Sequence, residues 1–176
     1  MLINVCLDLV LVALLCLASA FDLSQRRIPN RLVLLGMVSA SVLHLCSDNP
    51  LSVVSVGLAG CAVGLVLFVP LYLLRAMAAG DVKLMMMVGA FCGPELTVEV
   101  SMATYCAGGL LALLIVVARG RAMEAARNVR SMLLTLMWRM AAAPLAAEPA
   151  PPSVGSMPYG VAIAAGTFFI LWLRHA

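Results

Sequence analysis

Between Leu2 and Phe21 the chain carries a single charged side chain, Asp8, and the stretch is long enough to cross a hydrocarbon core of about 30 Å. Lipid offers no partners for backbone N–H and C=O groups, so a run of this kind must satisfy them within itself and is read as a helix. Such runs recur: Arg31–Cys46, Leu51–Leu74, Val82–Cys92, Val100–Ala118 and Val154–Leu173, separated by short polar segments. At 64% hydrophobic and 11% charged residues, with a mean hydropathy of +1.11, the chain lies outside soluble composition. The expected fold is all-α: a polytopic membrane protein, a bundle of about six transmembrane helices forming one domain over residues 1–176, with residues 119–153 as a basic cytoplasmic loop and linker.

Before the first run there is no Lys or Arg, and Asp8 lies within it, so it reads as an uncleaved helix although Ala18-Ser19-Ala20 resembles a small-residue cleavage site. Leu15 ahead of Cys16 speaks against a lipoprotein. All six cysteines fall in apolar runs without a CxxC pair, which makes them small buried hydrophobes rather than zinc or disulfide partners. Pro29 is placed to open the second helix at its first turn. His44, near the far end of that helix, reads as an interfacial residue. Gly57, Gly60 and Gly64 share one face of the third run, a spacing that lets helix backbones approach closely.

The fourth run is too short to cross alone, since eleven residues rise only about 16 Å before Gly93-Pro94. Either it continues through Glu95 to Val100, or its beginning is sunk below the membrane surface, which would put Asp81 inside protein. Glu95 and Glu99 are assigned to the outer loop or its margin. Arginines 119, 121, 127, 130 and 139 alternate with apolar residues, a pattern that suits a basic helix on an anionic leaflet and equally a solvated loop. Residues 141–153, with four prolines, form a linker. Ten of the eleven Lys and Arg residues fall in loops on one side and only Arg174 on the other. The positive-inside rule then puts both termini outside, in the periplasm, and the loops carrying Asp22 and Asp81 in the cytoplasm. The net charge of +3 gives no sign of nucleic-acid binding.

Two acids thus reach the same face, Asp22 at the end of one helix and Asp81 at the start of another. Carboxylates a few ångströms apart share a proton, so one can act as base toward a water while the other polarises a carbonyl. Such a pair hydrolyses a peptide without a metal or cofactor. The helix dipoles favour an ionised Asp81 and a protonated Asp22. Gly80 precedes Asp81 as a residue able to bring the backbone close to a substrate and to adopt angles that other residues avoid. Lys83 has two readings, a snorkelling anchor or a partner that tunes Asp81. The alternative is a non-catalytic assembly component or small transporter in which Asp22 and Asp81 pair structurally with Arg26 and Lys83.

Three segments carry a resemblance. Phe21-Asp22-Leu23-Ser24-Gln25-Arg26-Arg27-Ile28-Pro29-Asn30, Ala79-Gly80-Asp81-Val82-Lys83-Leu84 and Pro158-Tyr159-Gly160-Val161-Ala162 resemble, in order, the first acid with its Ile-Pro-Asn turn, the Gly-x-Gly-Asp-x-Lys setting of the second acid, and the closing Pro-Tyr-Gly segment of the type IV prepilin peptidases. The similarity is to their short, TadV/CpaA-like form, associated with Flp-type pilus assembly. The resemblance implies an aspartyl endopeptidase of the inner membrane that trims the basic leader of prepilins at the cytoplasmic face. Asp22 and Asp81 would be the catalytic pair, and Gly80, Lys83, Pro29, Asn30, Pro158, Tyr159 and Gly160 the supporting residues. Ala78 stands where the family has the first motif glycine, which implies reduced loop freedom. The cysteine-bearing insertion of the longer, bifunctional relatives is absent, so neither zinc nor N-methyltransferase activity is expected.

Overall fold

A computed structural model describes residues 2–47, 49, 51–74, 76–120, 123–124, 127, 129–131, 134 and 159–176. Most of those residues are helical and none is in a strand, and the elements are α1 (Leu2–Gln25), α2 (Asn30–Leu45), a π-helical stretch (Val53–Leu58) continuing into α3 (Ala59–Leu73), α4 (Ala79–Ala118) and α5 (Tyr159–His175). Three helices, Ile3–Gln25, Val53–Leu73 and Ala79–Ala118, are long and apolar enough to cross a membrane, and two shorter apolar ones accompany them. Packing divides the chain into two units, Met1–Gly109 with Pro158–Ala176, and Leu110–Met157. In the second, the described residues of the basic segment from Met123 to Leu134 are helical and exposed. The linker 141–153 and Pro158 lie outside the described residues.

In the first unit the outside is apolar and the inside tightly packed. Leu34, Leu35, Val38 and Val42 on α2 and Leu65 and Val66 on α3 all face outward, as helices solvated by lipid require. On α1 the buried positions Leu7, Leu11, Leu15 and Ala18 follow a helical stripe at spacings of three and four, and Asp22 is the next position on it. The first part of α4 is buried on nearly every side, with Leu84, Met85, Met87 and Val88 fully enclosed, which makes it the centre of the unit.

α4 is two helices in one. Gly93 breaks it with φ 79° and ψ 174°, angles closed to a side-chain-bearing residue, and Pro94 restarts it at the position where a missing N–H costs nothing. The stretch from Ala79 to Cys92 therefore rises only about 20 Å, and the second part returns from Pro94. Of the two options for a short fourth run, the structure supports an Asp81 enclosed by protein. Glu95 and Glu99 lie in the opening turns of the returning helix rather than in a loop, so that helix starts several residues before Val100.

Small residues make the α3–α4 crossing possible. A Cβ on Gly60 would run into the carbonyl of Gly89, one on Gly89 into the carbonyl of Gly60, and one on Gly64 would stand 2.7 Å from the Met85 oxygen. This is the face read from the glycine spacing. Further along, the Tyr105 hydroxyl donates to the Leu67 carbonyl at 2.7 Å and its ring stacks on Phe68, tying the returning helix to α3.

His44 departs from its expected interfacial position. It is buried, with Nε2 3.1 Å from the Ala90 carbonyl, Nδ1 3.4 Å from Ser52 Oγ, and its own carbonyl accepting from Ser47 and Ser52 hydroxyls. The cause is Pro94: the residue four beyond Ala90 has no N–H to give, which leaves that carbonyl without its helical donor. His44 supplies one, which fixes its tautomer as Nε2–H. The cysteines are also redistributed. All six are free, and Cys16, Cys46 and Cys106 are exposed on the apolar exterior instead of buried.

Candidate active site

At one end of the first unit the last turn of α1, the start of α2, the first turn of α4 and the first turn of α5 converge. Asp22 and Asp81 are each only 6% exposed there. The stripe that buries Leu11, Leu15 and Ala18 turns Asp22 inward, and α1 then ends four residues later with Arg26 in the left-handed region (φ 52°) and its N–H on the Asp22 carbonyl. Such a cap is normally glycine, so Arg26 holds a conformation costing about 1–2 kcal/mol.

Asp81 occupies the third position of α4, and its Oδ2 accepts the Ala78 N–H at 3.1 Å while Ala78 O accepts the Asp81 N–H at 3.1 Å. A carboxylate reaching back to the residue that opens its own helix is one half of a capping box. Ala78 thus acts through its backbone. Its methyl is exposed and its φ is not positive, so the position does not call for glycine.

Asp22 is held differently. Its Oδ2 accepts the Gly160 N–H at 2.7 Å, and the Val161 N–H also faces it. These are the free donors of the first turn of α5, turned onto a carboxylate of another helix. A Cβ on Gly160 would stand 2.7 Å from that same oxygen. Arg26 is also within electrostatic range of Asp22. The dipole argument that put the proton on Asp22 considered only α1. With the start of α5 facing Asp22 and the start of α4 facing Asp81, both acids see a helix N-terminus, and that assignment loses its basis.

The carboxylates lie within electrostatic reach of one another, and Asp81 within reach of the Tyr159 phenol, whose ring packs against Gly108. Lys83 is exposed and donates to Asn30 Oδ1 at 3.0 Å, tying α4 to the start of α2. That bond takes Lys83 away from the pairing with Asp81 that the scaffold alternative needs. Pro29 is the residue just before α2, its carbonyl accepting from Leu32 and Val33, so Asn30 rather than Pro29 is the first helical residue. Gly80 also differs from expectation: it is helical at ordinary angles, and a Cβ there would meet Ile28 at an unremarkable 3.7 Å.

Asp22, Asp81, Gly80, Lys83, Pro29, Asn30, Tyr159 and Gly160, the described residues named from the sequence for the site, therefore gather at one end. Sequence reasoning missed the backbone donors of Ala78 and Val161 and the Ile28 contact. The first was legible as an acid three residues after a helix opening.

An apolar helical bundle that encloses two carboxyls from separate helices fits a membrane-embedded protein. The chain belongs to the type IV leader peptidase family, which it matches over residues 9–113, a span containing both acids. No curated protein and no solved structure matches it.

Proposed function

We propose that this protein is an aspartyl endopeptidase of the bacterial inner membrane that removes the basic leader from Flp-type prepilins at the cytoplasmic face. The observation that carries the reading is the pair itself: Asp22 and Asp81, contributed by two helices of a leader peptidase family member, buried at one end of the bundle and within reach of each other. Two carboxyls brought together over a substrate would share a proton, so that one accepts a proton from the attacking water while the other hydrogen-bonds the scissile carbonyl. The products leave when the proton is returned to the departing amine. Each acid is anchored through Oδ2 by backbone donors, which fixes its orientation without neutralising it.

The excess of Lys and Arg in the loops beside the acids supports the cytoplasmic assignment. A prepilin lying with its apolar helix along the exposed apolar surface would bring its leader junction to the acid end, and the basic segment 119–140 suits contact with anionic lipid headgroups.

The capping contacts of the two acids also fit a purely structural role, and asparagine separates the two readings. Asn keeps an oxygen that can accept the same N–H groups but has no proton to exchange. On co-expression with a Flp-type prepilin, the native enzyme is expected to remove the leader, and Asp22→Asn and Asp81→Asn to leave it uncut while still accumulating in the membrane. Full processing by either variant would overturn the reading.

A further inference from the structure

The geometry points to Gly160 as a positioning residue: its missing side chain and its N–H together fix where the Asp22 carboxylate stands relative to Asp81. The role rests on the peptidase reading above. Any Cβ at position 160 would lie 2.7 Å from Asp22 Oδ2 and 3.1 Å from both Cβ and Cγ of Asp22. What it would meet is the whole of a short, buried side chain, not the end of a flexible one, so the carboxylate or the helix must move.

α5 has little room to move. Gly166 packs on the Thr104 backbone, where an added Cβ would come within 2.7 Å of Thr104 N, and the Tyr159 ring lies against Gly108, 3.1 Å from where a Cβ would sit. At its other end, His175 is 3.0 Å from Asp8 Oδ2, so α5 is fastened to α1 at both ends. The strain of a methyl at position 160 therefore falls on Asp22, and turning Asp22 changes its approach to Asp81. Gly160 acts through Asp22, so its loss should impair the chemical step and leave substrate binding alone.

The test uses the full-length enzyme in detergent and a purified Flp-type prepilin. Gly160→Ala is expected to lower kcat about 10²-fold, the size of effect that a 1 Å misplacement produces, with KM unchanged, as for an interaction that matters only in the transition state. Native kcat would overturn the proposal, and so would a raised KM at native kcat, which would make Gly160 a substrate contact.

A second measurement needs no variant at position 160. Gly160 is the only glycine that follows a tyrosine in this chain, so carbonyl-labelled tyrosine with ¹⁵N-glycine isolates its amide resonance. That amide proton should shift upfield in Asp22→Asn, which replaces a carboxyl acceptor with a neutral amide oxygen. A resonance indifferent to Asp22→Asn overturns the proposal, and it decides the matter if Gly160→Ala does not fold. Inactive Asp→Asn enzymes beside a fully active Gly160→Ala would sink the positioning role alone. Active Asp→Asn enzymes would sink the peptidase reading, leaving the resonance as a test of the contact itself.

Discussion

The two ends of the bundle both bury polar groups, and they use them in opposite ways. At the far end, His44 gives its Nε2–H to a carbonyl that Pro94 leaves without a donor, Ser47 and Ser52 close around it, and nearer the surface His175 Nε2 lies 3.0 Å from Asp8 Oδ2. The histidine and its two serines answer a demand made by the fold. At the acid end two carboxyls enclosed by protein come within electrostatic reach of each other, an arrangement that costs stability wherever both are ionised. A cost of this kind is what the proposed chemistry would account for.

The sharpest way to break this contrast is to remove the charge while keeping the caps. Asp22→Asn and Asp81→Asn should each lower leader cleavage by about 10³-fold or more, within the range that acid–base groups supply, and leave thermal stability in detergent within about 1 kcal/mol of native. Stability lost in step with activity would mean that the acids are structural and the two ends alike. Next in size is a change that spares both ends. Gly60→Val would force its side chain into the Gly89 carbonyl at the middle of the α3–α4 crossing. Overpacking of this kind costs about 1–3 kcal/mol, so the folded yield should fall while the surviving molecules cleave normally. A Gly60→Val protein of native stability would show that the crossing is looser than the backbone contacts indicate.

Much of this contrast is legible in the sequence, and the part that is not has one cause. The apolar runs, the glycine face of α3 and the locations of Asp22 and Asp81 at a helix end and a helix start are local properties, readable from spacing and composition. The donors that hold Asp22 come from Gly160, 138 positions away, and its neighbour Val161, and no local pattern near Asp22 announces them, so its own helix dipole was a misleading guide. His44 failed in the same manner. Its burial follows from a proline 50 residues further on, through a carbonyl that only the fold places beside the imidazole. Cys16, Cys46 and Cys106 failed for a different reason: in a lipid-solvated bundle an apolar residue can face outward as readily as inward, so hydrophobicity alone does not say which way it points.

Probing the far end should move stability and spare activity. His44→Ala strips the donor from the Ala90 carbonyl, and an unsatisfied buried acceptor costs about 1–3 kcal/mol. The expected result is a lower midpoint of thermal unfolding with kcat per folded molecule unchanged. His44→Gln, whose amide can donate to the same carbonyl, should recover part of the loss. A fall in kcat at native stability would give His44 a part in the reaction and erase the division between the ends.

The smallest effect is expected at Gly80, and it tests how far the acid end is shaped for substrate rather than for its own backbone. Gly80 lies in the first turn of α4 at ordinary helical angles, with Ile28 at contact distance from where a Cβ would stand. Nothing in the folded protein needs glycine there, and alanine is the better helix former by up to about 1 kcal/mol, so Gly80→Ala should unfold at the native temperature or slightly above it. If a peptide passes over Asp81 at close range, the same methyl would stand in its path, and KM for the prepilin should rise severalfold with kcat little changed. That outcome is the mirror image of the one expected for Gly160→Ala. The two glycines would then divide the site between them, one setting the acid and the other admitting the chain to be cut. A Gly80→Ala enzyme with native KM would leave Gly160 as the only glycine of the two that the chemistry needs.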